Sequence, residues 1–246
     1  MTRGARVALE PAWILHRRPY RDTSEILDLF TANHGRMAAV ARGSRRGKRQ
    51  MALEPFQPLH VSWSGRGELV TLTGVEHRGP GLQAAGGKLL SMFYVNELVL
   101  RLTGRQDPHP EIFAAYENAI CRLSREDAEA PVLRCFERDL LDALGYGLLL
   151  IRDVDGQDVE PESIYAYRLE EGPRRVTDRA GSTLPVSGAT LLAIQSGQFG
   201  DAGQLREARV LLTAALDQYL GGRPLKSRQV LNALRSRATG PSLLAK

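Results

Sequence analysis

The chain has 246 residues, 43% of them hydrophobic, and a net charge of +5. That is enough apolar material for a real core in one large domain or two to three small ones, while no run is long enough to span a bilayer and Met1–Arg6 lacks the apolar stretch of a secretory signal. The charge is lopsided, with thirteen Lys and Arg against seven Asp and Glu in residues 1–85 and twenty against twenty-one beyond, which predicts a basic domain joined to a near-neutral one with different partners.

Residues 5–78 read as β. Candidate strands are Val7–His16, Glu25–Phe30, Arg36–Ala41, Pro58–Ser64 and Leu69–Glu76, each carrying β-branched or aromatic residues between turn signals. Asn33-His34-Gly35 and Ser64-Gly65-Arg66-Gly67 are the tight turns. Val61 and Trp63 alternate with His60 and Ser62, the pattern of a strand with one buried face, so Trp63 is assigned to the core, with Trp13 and Phe30. Five short strands with a longer connection after the third match a Greek-key barrel of the OB type over residues 1–80. The connection carries Arg42-Gly43-Ser44-Arg45-Arg46-Gly47-Lys48-Arg49: five cations in eight residues, no apolar side chain, and no carboxylate between Asp28 and Glu54. Such a segment cannot bury itself and reads as a solvated loop that awaits a polyanion.

From Gly86 the signal turns helical, over a second domain assigned to 86–240. Lys88–Leu102 is apolar around most of its circumference and is expected to be a buried central helix. Pro110 opens a second helix, with Ile112, Phe113, Tyr116, Ile120 and Leu123 at helical spacing. Pro131 opens a third, with Leu133, Phe136, Leu140, Leu141 and Leu144 on one face and Gly145 closing it. Residues 151–185 break the pattern: Tyr165–Leu169 and Arg174–Thr177 around Glu170-Glu171-Gly172-Pro173 predict a small inserted β-hairpin. Ser187 caps a short helix through Ile194, Leu205–Leu220 is amphipathic and ends at Gly221-Gly222, and Ser227–Leu234 is a last helix. The fold class is therefore α+β. The cysteines, Cys121 and Cys135, lie in the helical part and read as buried thiols of a reducing, cytoplasmic setting.

Covalent chemistry finds little support. The histidines never occur at i, i+4 and the cysteines form no CxxC, so no metal site is expected. Glu25 and Asp28 fall on opposite faces of a strand, no GK[ST] follows the glycine pairs, and GxSxG is absent. Cations tell more. Arg17, Arg18 and Arg21 surround Pro19 and Tyr20 in what reads as the loop after the first strand, where Tyr20 either stacks a base while the arginines hold phosphates or packs down as a loop anchor. Arg36 and Arg66 project from the hairpins and either extend the same surface or are solvated turn charges. Gly221-Gly222-Arg223-Pro224-Leu225-Lys226-Ser227-Arg228 adds Arg223, Lys226 and Arg228 as a second anion contact. On charge alone an RNA-binding protein and a structural adaptor stand beside a DNA-binding one; a magnesium-dependent nuclease lacks its carboxylates.

These landmarks, in this order, resemble the RecO family of bacterial recombination mediators. The matching stretches are Ile14-Leu15-His16-Arg17-Arg18-Pro19-Tyr20-Arg21-Asp22-Thr23-Ser24, His34-Gly35-Arg36, Val40-Ala41-Arg42-Gly43, Glu54-Pro55-Phe56-Gln57-Pro58-Leu59, Gly65-Arg66-Gly67-Glu68-Leu69, Tyr94-Val95-Asn96-Glu97-Leu98, Arg134-Cys135-Phe136-Glu137, Leu144-Gly145-Tyr146-Gly147 and Leu220 through Arg228. The resemblance covers about residues 12–235. It implies an OB domain followed by a helical domain, binding to single- and double-stranded DNA without sequence preference, strand annealing, and no cofactor or enzymatic step. It also implies partnership with RecR and with the acidic tail of the single-stranded-DNA-binding protein SSB, which helps RecA load, in the cytoplasm at the nucleoid. Arg134 matches a position implicated in tail binding, and Leu133, Phe136 and Leu140 are expected to line the groove or the helix core. Two departures stand out. Cys135 replaces an arginine common in relatives, and residues 151–185 lack the four cysteines that bind zinc in some of them, so the hairpin must hold by hydrogen bonds and by packing of Tyr165 and Tyr167. Met1–Pro11, with Arg3 and Arg6, is expected to be a mobile basic arm.

Overall fold

The computed structural model describes residues 6–44, 53–125, 128–177, 184–230 and 233. Its barrel is organised by one long strand, β1 (Arg6–Tyr20). The first half of β1 pairs with β4 (Leu59–Ser64) and the second half with β2 (Ser24–Thr31), with bulges between Val7 and Glu10 and between Ile14 and His16. The extra residues bend the strand so that it can serve both neighbours. With β3 (Gly35–Ala41) and β5 (Leu69–His77), the order β1-β2-β3-β5-β4 closes a barrel, as the five predicted strands require. Its closing seam is a parallel β3–β5 pairing of only three residue pairs, Ala38↔Leu69 to Val40↔Thr71.

Two sequence expectations fail on β1. Arg6 pairs with Ser64 and belongs to the barrel, not to an arm; Arg3 lies outside the described residues. Arg17 through Tyr20 are strand, not loop, and the turn begins only at Arg21. Pro19 reads as a turn signal, but here β1 has β2 alone as a partner. On an edge a missing N–H costs no ladder bond.

Period-two alternation sorts the strand side chains into two cores. Ala12, Ile14, Leu27, Leu29, Met37, Ala39, Leu59, Val61, Trp63 and Val70 fill the barrel. Trp13, Leu15 and Phe30 point outward and are equally buried, because the helical part covers them. The helices there are α1 (Gly86–Leu102) and α2 (Pro110–Leu123). Trp13 meets Tyr116 edge-on at 5.7 Å, and Phe30 packs on Phe113 at 5.4 Å and Tyr116 at 5.7 Å. The Asn96 amide donates to the Leu15 carbonyl at 3.0 Å and accepts from the Tyr116 hydroxyl at 2.7 Å, a polar link across an otherwise apolar seam.

The α1–α2 connection docks on the barrel as well. The Gln106 N–H donates to the Arg36 carbonyl, its side chain to the Gly67 carbonyl, and the Arg36 guanidinium to the Thr103 carbonyl at 2.9 Å. Gly35 sits under this loop at φ +65°, where an added Cβ would lie 2.2 Å from the Asp107 carbonyl oxygen. Only glycine fits both the left-handed backbone and the close approach.

α3 (Glu129–Ala143) starts two residues before Pro131, which its first turn tolerates. α4 (Gly188–Ser196) is capped by the Ser187 hydroxyl, as expected, and α5 (Ala202–Tyr219) ends at Gly221 and Gly222, both at positive φ. The predicted hairpin, β6 (Ile164–Arg168) and β7 (Gly172–Val176), gains a third strand, β8 (Pro185–Ser187), on the other side of β6. Tyr165 and Tyr167 are buried beneath it. The preceding turn is stitched by Asp153, whose carboxylate accepts from the Asp155 and Gln157 N–H groups. Cys121 and Cys135 are free and half-buried, not fully buried.

Candidate nucleic-acid interface

Where β1 turns into β2, the chain end of β3 and the start of β5 lie alongside, and together they border a groove of about 700 Å³. Tyr20, Arg21 and Arg42 line it, with Leu69, Val70 and Thr71 along β5 and Asp22 as the acid at its rim. The Arg21 guanidinium lies 5.1 Å from the Tyr20 ring centroid. An arginine stacked on an aromatic ring presents a flat cationic platform suited to bases and phosphates. Arg42 is exposed, and it opens the run that continues into Arg45, Arg46, Lys48 and Arg49. Those four lie outside the described residues.

The other predicted cations separate into two groups. Arg18, Arg66, Arg223 and Lys226 are exposed. Arg17, Arg36 and Arg228 are engaged. Arg17 pairs with Glu54 at 2.8 Å. Arg36 is clamped under the α1–α2 connection, and burial, then the neighbouring Arg105 charge, holds its pKa below the usual arginine value. Arg36 joins the two parts of the molecule and does not extend the groove. Arg228 pairs with Asp217 at 2.8 Å and lies over the Tyr94 ring.

The segment that carries Arg228 is held by α1. The Glu97 carboxylate accepts from the Lys226 and Ser227 N–H groups and from the Ser227 hydroxyl, so a residue of α1 caps the last helix. Arg101 donates to the Leu220 and Arg223 carbonyls. Burial raises the Glu97 pKa, but the bonds from Ser227 and Lys226 outweigh it and leave a net lowering.

That arrangement closes a second, smaller cavity of about 100 Å³ between α1, α3, α5 and the last helix. Leu90, Leu133 and Ala130 supply apolar walls, Arg134, Arg209 and Arg228 reach it with Tyr94, and Glu129, which accepts from the Ser91 hydroxyl, is the acid in its lining. Behind the wall is a fully buried carboxylate. Glu137 accepts from Arg134 and, at 2.8 Å, from the Tyr94 hydroxyl. Burial, then the Glu137 charge, pushes the Tyr94 pKa far above its ordinary value. Leu133 and Arg134 border this cavity. Phe136 and Leu140 do not; they turn into the helical core. Tyr94, Glu137 and Arg209 are not among the expected site residues, although Arg134 and Glu137 at i, i+3 inside an apolar helix are a legible sign of a buried ion pair.

Family-level comparison covers nearly the whole chain. Residues 7–80 match the family described as Recombination protein O N terminal, and residues 84–229 match Recombination protein O C terminal. The chain belongs to the RecO family. Among its relatives, the DNA repair protein RecO of Alkalilimnicola ehrlichii is 48% identical over 234 residues, 94% of this chain and 93% of that protein. DNA repair protein RecO of Halorhodospira halophila is 47% identical over 92% of this chain and 97% of its own. That of Nitrosococcus oceani is 44% identical over 94% and 95%. The two RecO family matches meet between residues 80 and 84, in the stretch that joins β5 to α1. Among the described residues, no helix is long and apolar enough to cross a membrane.

Proposed function

We propose that this RecO-family chain is a non-enzymatic DNA repair protein that binds single- and double-stranded DNA without sequence preference and anneals complementary strands. The observation that supports this reading best is the convergence of Tyr20, Arg21 and Arg42 on one groove of the barrel, at the root of the cationic run 42–49. Annealing needs no catalytic group. Two strands repel, and a cationic surface screens the repulsion and raises their local concentration. Counterion release drives binding, with a salt slope of about 0.7 per phosphate neutralised on a single strand.

The second cavity is read as the receptor for the SSB tail, which is acidic and ends in apolar residues. Apolar walls beside three arginines support that reading, although Arg134 and Arg228 already pair with Glu137 and Asp217 and Glu129 is in the lining. Recruitment through the tail, together with RecR, would bring the barrel to coated DNA and prepare it for RecA, in the cytoplasm at the nucleoid.

The test is fluorescence anisotropy with oligonucleotides of several sequences, single- and double-stranded, across a salt series, together with an annealing assay. The unaltered protein binds all of them with similar affinity and a negative salt slope. Replacing Arg45, Arg46, Lys48 and Arg49 with alanine weakens binding, slows annealing and flattens the slope. An unchanged slope removes the cationic run from the mechanism.

A further inference from the structure

The parallel seam that closes the barrel also opens it. The β3–β5 ladder stops at Val40↔Thr71, and from Leu72 onward β5 pairs with β4 alone. Beyond that point Ala41–Ser44 and Leu72–Val75 border a slot of about 230 Å³. Ala41, Leu53, Leu72 and Val75 make its walls aliphatic, and Arg42 stands at its mouth. The groove described above runs beside Leu69–Thr71 and the slot beside Leu72–Val75, with Arg42 common to both. The two cavities adjoin at Arg42 and set a path along β5.

One edge of this path is cationic and one recess is apolar. The ligand that matches is a chain with anionic groups along one side and flat apolar rings along the other. The volume is below that of an ordinary small-molecule pocket and has room for one ring system. The slot also offers few groups that could read which ring enters. The Ser44 hydroxyl already lies 2.9 Å from the Glu25 carboxylate and 3.1 Å from the Ala41 carbonyl, which leaves the Thr73 hydroxyl and the Arg42 guanidinium as the polar side-chain groups of the described lining, too few to specify one base edge against the others.

We propose that the slot between β3 and β5 receives a single nucleobase of a bound strand, unstacked from its neighbours, while Arg21 and Arg42 hold the flanking phosphates. This rests on the nucleic-acid reading above and adds a base-binding recess to it. A strand held this way is pinned at one base without regard to sequence, and the remaining bases stay free to pair.

The experiment uses the full chain and short oligo-dT carrying one photoreactive 4-thiothymidine, or one 2-aminopurine, at successive positions. Cross-linking to Leu53, Leu72 or Val75, with 2-aminopurine brightening at a single position, is expected. Val75→Phe fills the slot and should abolish the brightening and weaken binding about five- to tenfold, the size of one lost base contact, whereas Val75→Ala should keep both. Should Val75→Phe fail to fold, the cross-links on the unaltered protein decide alone. Binding with cross-links confined to Tyr20 and the turn after it overturns the slot and leaves the nucleic-acid reading standing. No anisotropy change at low salt overturns both.

Discussion

Replacing Gly35 with alanine tests whether the barrel and the helical part are locked together. Gly35 has φ +65°, and a Cβ there would lie 2.2 Å from the Asp107 oxygen, 2.5 Å from its carbonyl carbon and 2.7 Å from its nitrogen. All three are backbone atoms, so no side chain can swing aside. The left-handed backbone costs an L-residue about 1–2 kcal/mol, and forcing atoms into a packed contact adds about 1–3 kcal/mol, for about 2–5 kcal/mol together. Gly43 supplies the control. It has φ +68° with nothing among the described residues within 4 Å of its virtual Cβ, so Gly43→Ala carries the backbone cost alone. Urea unfolding followed by circular dichroism should place Gly35→Ala below Gly43→Ala by about 1–3 kcal/mol, a midpoint difference of about 0.5–1 M. Equal midpoints would mean that the 103–109 connection yields freely. The account of a docked loop would then be wrong.

Arg36→Ala should lower stability by about 1.5–3 kcal/mol through loss of its charged bond to the Thr103 carbonyl, yet leave the salt slope of DNA binding unchanged; a shallower slope would return Arg36 to the nucleic-acid surface. Arg134→Ala should abolish binding of a fluorescent SSB-tail peptide and also cost about 3–5 kcal/mol by stranding the Glu137 carboxylate; Arg134→Lys separates the two effects, with near-normal unfolding and weakened peptide binding, and normal binding would clear Arg134 of the role. Glu97 gives a pH test. Its folded pKa lies below the ordinary 4.5, so its contribution is fully present above that value and is lost as pH falls through the lower, folded value. The stability gap between the unaltered protein and Glu97→Gln should be widest at neutral pH and close in acid; a constant gap would refute the carboxylate cap.

The barrel was legible in the sequence because its signals are local. His60-Val61-Ser62-Trp63 alternates, and the turn residues fall where the strands end. What escaped is tertiary. β8 is three residues with a proline, too short for any period to show, and it exists only because β6 offers an edge. Arg36 looks like every exposed hairpin arginine until a connection from sixty-odd residues later lands on it. Phe136 and Leu140 form a clear apolar stripe, but a stripe does not say whether it meets core or cavity. Arg228 reads with its neighbours as a cationic cluster, whereas Glu97, distant in sequence, and Asp217, on the preceding helix, draw that segment onto α1 and α5. Charge density along the chain reports where cations are, not which of them a carboxylate has already engaged.

α1 shows why this matters for how the molecule works. Its apolar circumference predicts burial, but the polar residues scattered in it carry the architecture. At 3.6 residues per turn, Met92, Val95, Asn96 and Val99 share one side, and Asn96 bonds the barrel through the Leu15 carbonyl. Tyr94, Glu97 and Arg101, at i, i+3 and i+7, share another. They bond Glu137, the Lys226–Ser227 turn and the Leu220 and Arg223 carbonyls. One rigid helix thus holds the barrel on one side and builds the small cavity on the other. No flexible joint is needed between the groove that would take a strand and the pocket that would take an acidic tail, because both are fixed to the same seventeen residues. A ligand in the pocket would then position the groove directly, by geometry, without a change of shape.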